Sequence, residues 1–239
     1  MAPIQPRSPS PRRRRLLGAI GLLLLLALII PISSVMAFRF VNPPASWLSM
    51  ERVFQGQGLM RRWRPLNRIS PNLVRAVIAA EDDKFCTHHG FDWEGIQNAM
   101  RWNARHKDKV RGGSTISQQT AKNVFLWPGR DYLRKGLEAY YTVLIETAWG
   151  KRRIMEVYLN DIEWAPGIYG AQAASQYWFK TDADKLTPTQ AARLAAILPR
   201  PLKWKPVAPS RMIRRRTARI SPGMNTIRVN GWADCVLRS

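Results

Sequence analysis

The sequence predicts a mainly α-helical domain behind a single N-terminal transmembrane helix. Residues 16–38 are uncharged and open with the apolar stretch LLGAIGLLLLLALIIPI. From Ser70 onward, apolar residues recur at the three- and four-residue spacing of buried helix faces, between residues typical of helix caps. We find no alternation of apolar and polar residues long enough for a substantial strand. Together these observations favour one helical domain attached to a membrane anchor.

The apolar stretch is long enough to cross a membrane. As a helix, residues 16–38 would extend about 35 Å, against a hydrocarbon core of about 30 Å. Four arginines, Arg12 to Arg15, precede it, and the positive-inside rule then leaves the tail in the cytoplasm and sends the remainder outward. A cleaved signal peptide, with Val35-Met36-Ala37 as its cleavage site, is the alternative. The length of the stretch favours a retained anchor.

Charge is abundant and uneven. The chain has 38 Lys and Arg residues against 16 Asp and Glu residues, a formal net charge of +22. No acidic residue precedes Glu51, and only Asp234 follows Asp184. So basic a chain favours a polyanionic partner. Because the basic part would lie outside the cytoplasm, we expect anionic membrane lipids and not nucleic acid. Two cysteines exclude a disulfide-framed miniprotein and a four-cysteine zinc site.

The segment after the anchor is predicted to lead to the exported domain. Pro43-Pro44 favours an extended linker over residues 39–50. Residues 54–69 combine arginines with Trp63, which suits either a segment resting on the membrane or a solvated basic loop with one packed tryptophan. The predicted division is a cytoplasmic tail at 1–15, an anchor at 16–38, a linker and membrane-contacting segment at 39–60, and a periplasmic domain at 61–239.

Five helices are predicted from their caps. Ser70 precedes Pro71 at the start of the first helix, PNLVRAVIAAEDDKF. Capping boxes at Thr115-Gln118 and Thr187-Gln190 open the second and the fifth. Asp131 can cap the third, which Gly150 ends, and the fourth covers residues 151–159.

A first polar stretch, EDDKFCTHHG at residues 81–90, follows the first predicted helix. Glu81 would lie at the C-terminal end of an apolar helix, where the helix dipole and the apolar surroundings both disfavour its ionisation. A glutamate placed in this way is a candidate general acid or base. The alternative is a helix end that places acidic side chains in solvent.

Two further polar stretches follow. GGSTISQQTAKN at residues 112–123 combines a mobile glycine pair with a helix N-terminus, and Gln118 and Lys122 share one helix face. It lacks the Walker A spacing, and the chain has no penicillin-type serine motif. In residues 130–146, Arg134 and Lys135 can pair with Glu138, which alone would be ordinary salt bridging on a solvated face.

Taken together with two later stretches, these polar stretches resemble a known set of sequence motifs. EDDKFCTHHGFDWEGI, GGSTISQQTAKN, RKGLEAYYTVLIE, KRRIMEVYLN and GIYGAQAASQYWF resemble, in order and spacing, the five motifs of family 51 glycosyltransferases. These are peptidoglycan transglycosylases, related to the transglycosylase domain of class A penicillin-binding proteins. The resemblance runs from about Trp63 to Pro201 and is strongest to monofunctional members from Gram-negative bacteria. Too few residues follow Arg200 for a transpeptidase domain.

The resemblance implies a lysozyme-like, two-lobed domain that polymerises lipid II at the outer face of the inner membrane and releases undecaprenyl pyrophosphate. By resemblance, Glu81 is the general base on the acceptor hydroxyl in an inverting transfer. Glu138 assists the leaving group, with a divalent cation (Mg²⁺ or Mn²⁺) as a plausible aid. No organic cofactor is implied. The implied partners are lipid II, the growing glycan chain, membrane lipids, and cell-wall synthesis proteins of division or elongation.

The motifs also imply binding residues. Lys122, Arg130 and Lys135 match positions that hold the pyrophosphate, and Arg134 is assigned to the same substrate-binding set. Ser114, Gln118 and Gln119 match positions that line the cleft. Asp82 is expected to support the site, and His88 to hold its loop by hydrogen bonds. No metal-ligand set at zinc spacing accompanies His88.

Some features depart from the family pattern. Gln172 stands where relatives commonly carry Glu, and the chain after Pro209 matches only loosely. Cys86 and Cys235 could pair in an oxidising periplasm, but we expect free thiols. Two alternative functions are a lysozyme-like lytic transglycosylase, against which the pyrophosphate-binding cations argue, and a catalytically inactive, membrane-anchored cell-wall scaffold.

Overall fold

A computed structural model describes residues 11–54, 56, 58–106, 112–129 and 131–238 of the chain. It is built mainly of helices, which confirms the predicted fold class. The α-helices are α1 Pro11–Phe40, α2 Trp47–Phe54, α3 Pro71–Glu81, α4 Trp93–Arg105, α5 Ile116–Phe125, α6 Tyr132–Ala148, α7 Lys151–Asp161, α8 Ala171–Phe179, α9 Pro188–Ile197, α10 Arg211–Val229 and α11 Asp234–Leu237. Short 3₁₀ turns lie at Leu66–Arg68 and Ala183–Lys185.

Among the described residues, strands occur in one small sheet. β1 Met60–Arg61, β2 Glu163–Ala165 and β3 Ile168–Tyr169 lie in the order β1-β3-β2. β1 runs parallel to β3 with Met60 opposite Ile168, and β2 runs antiparallel to β3 with Glu163 opposite Tyr169. Such short strands agree with the lack of any long alternating stretch in the sequence.

The predicted helix caps are confirmed. The Ser70 side chain accepts a hydrogen bond from the Asn72 amide at 3.3 Å, and Asp131 Oδ1 accepts one from the Arg134 amide at 2.7 Å. Thr115 and Thr187 each form the reciprocal capping box. Because a cap depends on residues two or three positions apart, these helix starts could be read from the sequence.

The hydrophobic core gathers α3, α5, α7, α8 and α9 around large buried side chains, which include Trp149, Trp164 and Tyr158. α10, which the sequence did not predict, packs against α3 and α9. A Cβ built at Gly223 would lie 3.2 Å from the Ala79 Cβ, so α10 approaches the end of α3 closely. The C-terminal segment thus supports the helix that ends at Glu81.

The N-terminal helix meets the domain at its C-terminal end. Residues 15–40 of α1 are long and apolar enough to cross a membrane. The Val35 carbonyl accepts a hydrogen bond from Trp149 Nε1 at 2.8 Å, and the Phe38 ring stacks on Phe125 at 5.8 Å. The prediction of an extended linker over 39–50 was wrong at both ends, because α1 continues to Phe40 and α2 begins at Trp47.

The basic segment that follows packs largely into the domain. Arg61 Nη1 donates to the carbonyls of Pro43 and Pro44 at 2.7 and 2.6 Å. The guanidinium groups of Arg61 and Arg153 lie 5.3 and 5.4 Å from the centre of the Trp63 ring. This favours the packed-tryptophan interpretation of residues 61–64. Exposed apolar side chains lie instead just before them, at Trp47, Phe54, Leu59 and Met60.

Candidate active site

A cavity of about 340 Å³ opens at the C-terminal end of α3. The loop before α5 and the start of α4 form its other walls. Its lining residues are Ala79, Ala80, Glu81, Asp82, Asp83, Asp92, Gly95 and Gly112 to Thr115. The first two motifs therefore meet at one cavity, with Glu81 on its wall.

Glu81, the last residue of α3, is partly exposed to this cavity. Burial is the main cause that raises the pKa of its carboxyl group above the ordinary value. A hydrogen bond from Gln119 Nε2 to Oε2, at 3.1 Å, and the charges of Arg216 and Lys122 lower that pKa, while the charge of Asp82 raises it further. A carboxylate whose pKa is moved upward in this way is a stronger base.

Asp82 joins the first motif to the second. Its carboxylate is buried, faces His88 Nε2 at 2.9 Å, and accepts a hydrogen bond from the Ile116 amide at 2.9 Å. His88 Nδ1 accepts a hydrogen bond from the Gly90 amide at 3.1 Å. The expected roles of Asp82 as a supporting residue and of His88 as a residue that holds its loop are consistent with these contacts.

Gly90 closes the same loop. Its φ of +91° favours glycine, and a Cβ there would lie 2.8 Å from Thr142 Cγ2 on α6. The Gly90 carbonyl accepts a hydrogen bond from Thr115 Oγ1 at 2.6 Å. The loop that follows Glu81 is therefore fixed to the N-terminus of α5.

Some polar residues of the second motif stabilise the fold, and others line the Glu81 cavity. Gln118 is buried and its Oε1 accepts from the Thr115 amide at 3.0 Å, so much of its side chain serves the capping box. Ser117 donates to Glu146, which Lys151 also contacts at 2.6 Å. Of the predicted cleft residues, Ser114 lines the Glu81 cavity and Gln119 contacts Glu81 itself.

Glu138 lies in a cluster of cations. Arg134 Nη1 donates to its Oε2 at 3.0 Å, and Lys135 Nζ contacts its Oε1. The side chains of Arg134 and Glu138 are largely buried, whereas Lys135 is half exposed. Both oxygens of Glu138 are thus held by positive groups, and the Lys135 ammonium remains accessible.

A second and a third cavity lie between the two carboxylate sites. One, of about 260 Å³, shares Ser114 with the Glu81 cavity and is also lined by Gln118 and Lys135. The next, of about 300 Å³, is lined by Asp131, Tyr132, Arg134 and Lys135. Neighbouring cavities that share Ser114 and then Lys135 as lining residues therefore lie between Glu81 and the cations that hold Glu138.

The remaining predicted cations lie elsewhere. Lys122 lines a separate cavity of about 210 Å³ with Leu48 of α2 and Trp127, although its charge is felt at Glu81. Arg130 lies outside the described residues.

Within the described ranges, no group of three His, Cys, Asp or Glu residues could hold a metal ion. Because Arg134 and Lys135 take both Glu138 oxygens, this carboxylate does not fit the role of a preformed cation ligand.

Two sequence features are resolved by the structure. The expectation of free thiols was wrong: Cys86 and Cys235 form a disulfide with a Cα–Cα distance of 5.7 Å. It links the loop after Glu81 to α11.

Gln172 is buried, donates to Asp182 Oδ1 at 2.7 Å and accepts from the Ala183 amide at 3.1 Å. Its role here is to hold α8 to the following turn.

Two residues near Glu81 were not predicted from the sequence. Tyr158 on α7 contacts Gln119, and it lies in the fourth motif, KRRIMEVYLN, where its position could have drawn attention. Arg216 on α10 lies over the Trp204 ring at 5.5 Å and donates to the Ala196 carbonyl at 3.0 Å. No sequence pattern indicated Arg216, because its helix lies in the loosely matched C-terminal part.

Known proteins match this chain along most of its length. The Transglycosylase family matches residues 49–225. A biosynthetic peptidoglycan transglycosylase of Caulobacter vibrioides is 57% identical over 224 residues, which are 93% of this chain and 97% of that protein. Proteins with the same name from Rhodospirillum centenum and Pseudomonas aeruginosa are 48% and 50% identical, over 95% and 85% of this chain and 97% and 89% of their own lengths. The chain therefore belongs to the transglycosylase family, with its lysozyme-like domain, and is a peptidoglycan glycosyltransferase.

Proposed function

We propose that this enzyme polymerises lipid II into glycan strands, releases undecaprenyl pyrophosphate and does not cross-link the product. One observation carries the proposal. Glu81, a carboxyl group with a raised pKa, lies on the first of three neighbouring cavities, and the other two are lined by Lys135, one of the cations around Glu138. A proton acceptor at one end and a site for a leaving anion at the other are what transfer from a pyrophosphate-linked sugar requires.

In the proposed reaction, ionised Glu81 accepts the proton of the acceptor sugar's 4-hydroxyl group. The hydroxyl oxygen forms a bond to the anomeric carbon of the donor chain as the bond to the pyrophosphate oxygen breaks, with inversion. The electron pair of the broken bond leaves with the lipid pyrophosphate. Fixed cations stabilise such developing charge most strongly in a cleft that excludes water.

Lys135 and Arg134 are the proposed partners of the leaving pyrophosphate, and Lys122 contributes positive charge from the neighbouring helix. Glu138 has both oxygens engaged by Arg134 and Lys135. We infer that it assists the leaving group by holding these two cations in place. Ser114 and Gln118 line the path between the two ends of the cleft.

A divalent cation remains a proposal from the family resemblance, because the described residues offer no preformed ligand set for one. Polymerisation assays with Mg²⁺, with Mn²⁺ and with a chelator alone would measure the requirement directly.

The first test compares wild type with Glu81→Gln on labelled lipid II in detergent. Loss of a general base should lower kcat by about 10² to 10⁴-fold. Glu138→Gln should also lower kcat, because Arg134 and Lys135 would lose the carboxylate that orients them. Glu94→Gln is the control: Glu94 is an exposed carboxylate on α4, paired with Lys84 at 2.5 Å.

The products decide among the alternatives. Polymer from wild type and from Glu94→Gln, but not from Glu81→Gln, supports the proposal. Fragments from finished cell wall, without polymer from lipid II, would instead identify a lytic transglycosylase. If wild type forms neither product, or if cells tolerate Glu81→Gln without any defect, the inactive scaffold becomes the better description.

We further propose that the chain lies in the inner membrane as a single-pass protein, with its N-terminus in the cytoplasm. The arginines just before the apolar stretch support this orientation. The docking of Val35 and Phe38 on the domain supports a retained anchor over a cleaved signal peptide. A C-terminal reporter that is active only in the periplasm would test the orientation. Membrane lipids and proteins of division or elongation are proposed as further partners.

A further inference from the structure

A hydrogen-bonded chain of three side chains links three helices beside the cleft. Tyr158 on α7 donates from its hydroxyl group to Gln119 Oε1 on α5 at 3.3 Å. Gln119 Nε2 donates in turn to Glu81 Oε2 at the end of α3, at 3.1 Å. Tyr158 is 1% exposed, so its hydroxyl group reaches the cleft only through Gln119.

The chemistry of these groups sets the direction of the chain. An ionised carboxylate only accepts hydrogen bonds, so the amide must turn its nitrogen to Glu81 and its oxygen to Tyr158. The oxygen then needs a donor. Burial and the charges of Glu81 and Asp82 raise the pKa of Tyr158 well above its ordinary value, so its hydroxyl group keeps its proton and can donate. Without this hydroxyl group, the reversed amide would present its oxygen to Glu81 and favour the protonated acid.

We propose that Tyr158 is a positioning residue for sugar transfer, whose hydroxyl group holds the Gln119 amide in the orientation that donates to the Glu81 carboxylate. This inference rests on the proposed role of Glu81 as the general base. Tyr158 does not contact substrate; it acts through Gln119. Its consequence is that a larger share of Glu81 is ionised and ready to accept a proton at neutral pH.

Other charged groups act on Glu81 from the surrounding helices. Asp82 adjoins it at the end of α3, Lys122 acts from α5 and Arg216 from α10. None of these groups is altered by removing the Tyr158 hydroxyl group. A change in the ionisation of Glu81 in such a variant can therefore be assigned to the amide of Gln119.

Tyr158→Phe is the test, since it keeps the buried ring and removes one oxygen. We expect the acid limb of the kcat/KM profile to move upward by about one pH unit, which corresponds to about a tenfold loss at a pH below both midpoints. Above both midpoints the activities of the variant and of wild type should converge. Tyr169→Phe is the matched control, because Tyr169 is also fully buried and its hydroxyl group lies near a different carboxylate, Glu163.

A double-mutant cycle separates positioning from a general structural effect. In a Gln119→Leu background, Tyr158→Phe should cause no further shift of the acid limb, since the group through which it acts is gone. An equal loss of activity at all pH values, or shifts that add in the double variant, would overturn the inference. So would an acid limb that stays in place in Tyr158→Phe.

The inference can fail separately from the proposed function. If wild type polymerises lipid II and Tyr158→Phe has an unchanged profile, only the role of Tyr158 is refuted. If wild type makes no polymer, the Glu81 carboxyl group can still be titrated by ¹³C NMR in wild type and in Tyr158→Phe. A pKa that is equal in the two proteins would then refute the positioning role without any activity measurement.

Discussion

At the scale of single residues, the two carboxylates of the cleft have opposite surroundings. Glu81 is surrounded mainly by protein that disfavours its charge and receives one amide hydrogen bond. Glu138 is held by a guanidinium and an ammonium group. A partly buried carboxylate with few donors is suited to accept a proton, whereas one neutralised by two cations is suited to organise them. Environment, more than residue type, therefore separates their proposed roles.

A third acidic group, Asp161, should make stability depend on pH. Burial raises its pKa to about 6, against an ordinary value of 3.8, although the charge of Arg61 lowers it. Between these values the folded protein keeps a proton that the unfolded chain has released. The free energy of unfolding should therefore fall as the pH rises from about 4 to about 6, by about 3 kcal/mol from this group.

Asp161→Asn should flatten that fall, as measured by denaturant unfolding of the detergent-solubilised protein across this pH range. Asp184→Asn is the control, since Asp184 is partly exposed and lies 3.6 Å from Arg68. If wild type and Asp161→Asn lose stability with the same slope, the Asp161 carboxyl group does not titrate as its burial indicates.

At the scale of elements, the C-terminal helices are fastened to the active-site loop. The disulfide joins Cys86, five residues after Glu81, to Cys235 in α11. Arg152 of α7 donates to the Val236 carbonyl at 2.7 Å, which gives α11 a second attachment. The segment beyond residue 225, where the family match ends, is thus fastened to the loop that follows Glu81.

Removing this disulfide should destabilise the protein. It closes a sequence separation of 149 residues, for which the chain-entropy account gives about 5 kcal/mol through restriction of the unfolded chain, and disulfides typically contribute about 2–4 kcal/mol. A Cys86→Ser/Cys235→Ser variant should unfold at a lower temperature than oxidised wild type. A reductant should lower the transition of wild type and leave that of the variant unchanged. A reductant-insensitive wild type would show that the cysteines are not paired in solution.

Elements set by local chemistry could be predicted from the sequence. The helix starts at Ser70, Thr115 and Thr187 depend on neighbouring residues. α10 could not be predicted, because Pro222 and several arginines interrupt a clear apolar face and its helical state depends on packing against α3 and α9. The disulfide escaped prediction for the same reason, since only the tertiary fold brings its two cysteines together.

Some residues of the candidate site could likewise be predicted from the sequence, and others could not. Glu81 could be identified because a glutamate ends an apolar helix, and its neighbours in the motifs followed from the resemblance. The contact of Gln119 with both Glu81 and Tyr158 spans three helices, and no spacing in the sequence indicates it. A membrane-surface position was one of two alternatives for the segment that includes Arg61, and the contacts of Arg61 with Pro43, Pro44 and Asp161 hold it inside the domain.

At the scale of the whole molecule, the anchor and the enzyme domain are joined by specific contacts. Besides Trp149 and Phe125, Arg153 on α7 binds the end of α1: its Nη2 donates to the carbonyls of Phe38 and Val41, each at 2.9 Å. The last turns of the anchor therefore belong to the packed domain. In the proposed topology, this docking would set where the active site lies relative to the membrane and to a lipid-linked substrate.

Two phenylalanines in the same turns of α1 allow this docking to be tested. Phe38 packs against Phe125, which itself stacks on Tyr141 at 4.4 Å, whereas Phe40 is 77% exposed. Phe38→Ala should lower the free energy of unfolding by about 2 kcal/mol, less than a fully buried phenylalanine would lose. Phe40→Ala removes the same atoms from an exposed position and should leave unfolding in detergent almost unchanged.

We expect the polymerisation rate to depend on the contacts between α1 and the domain, and not only on the presence of the anchor. In membranes, Phe38→Ala keeps a full-length apolar helix but loosens its attachment, so we expect slower polymerisation of embedded lipid II with an unchanged acid limb of the pH profile. Equal stability and equal rates for the Phe38→Ala and Phe40→Ala proteins would contradict this account. The anchor would then act only as a tether, and substrate binding would not require a fixed distance between the active site and the bilayer.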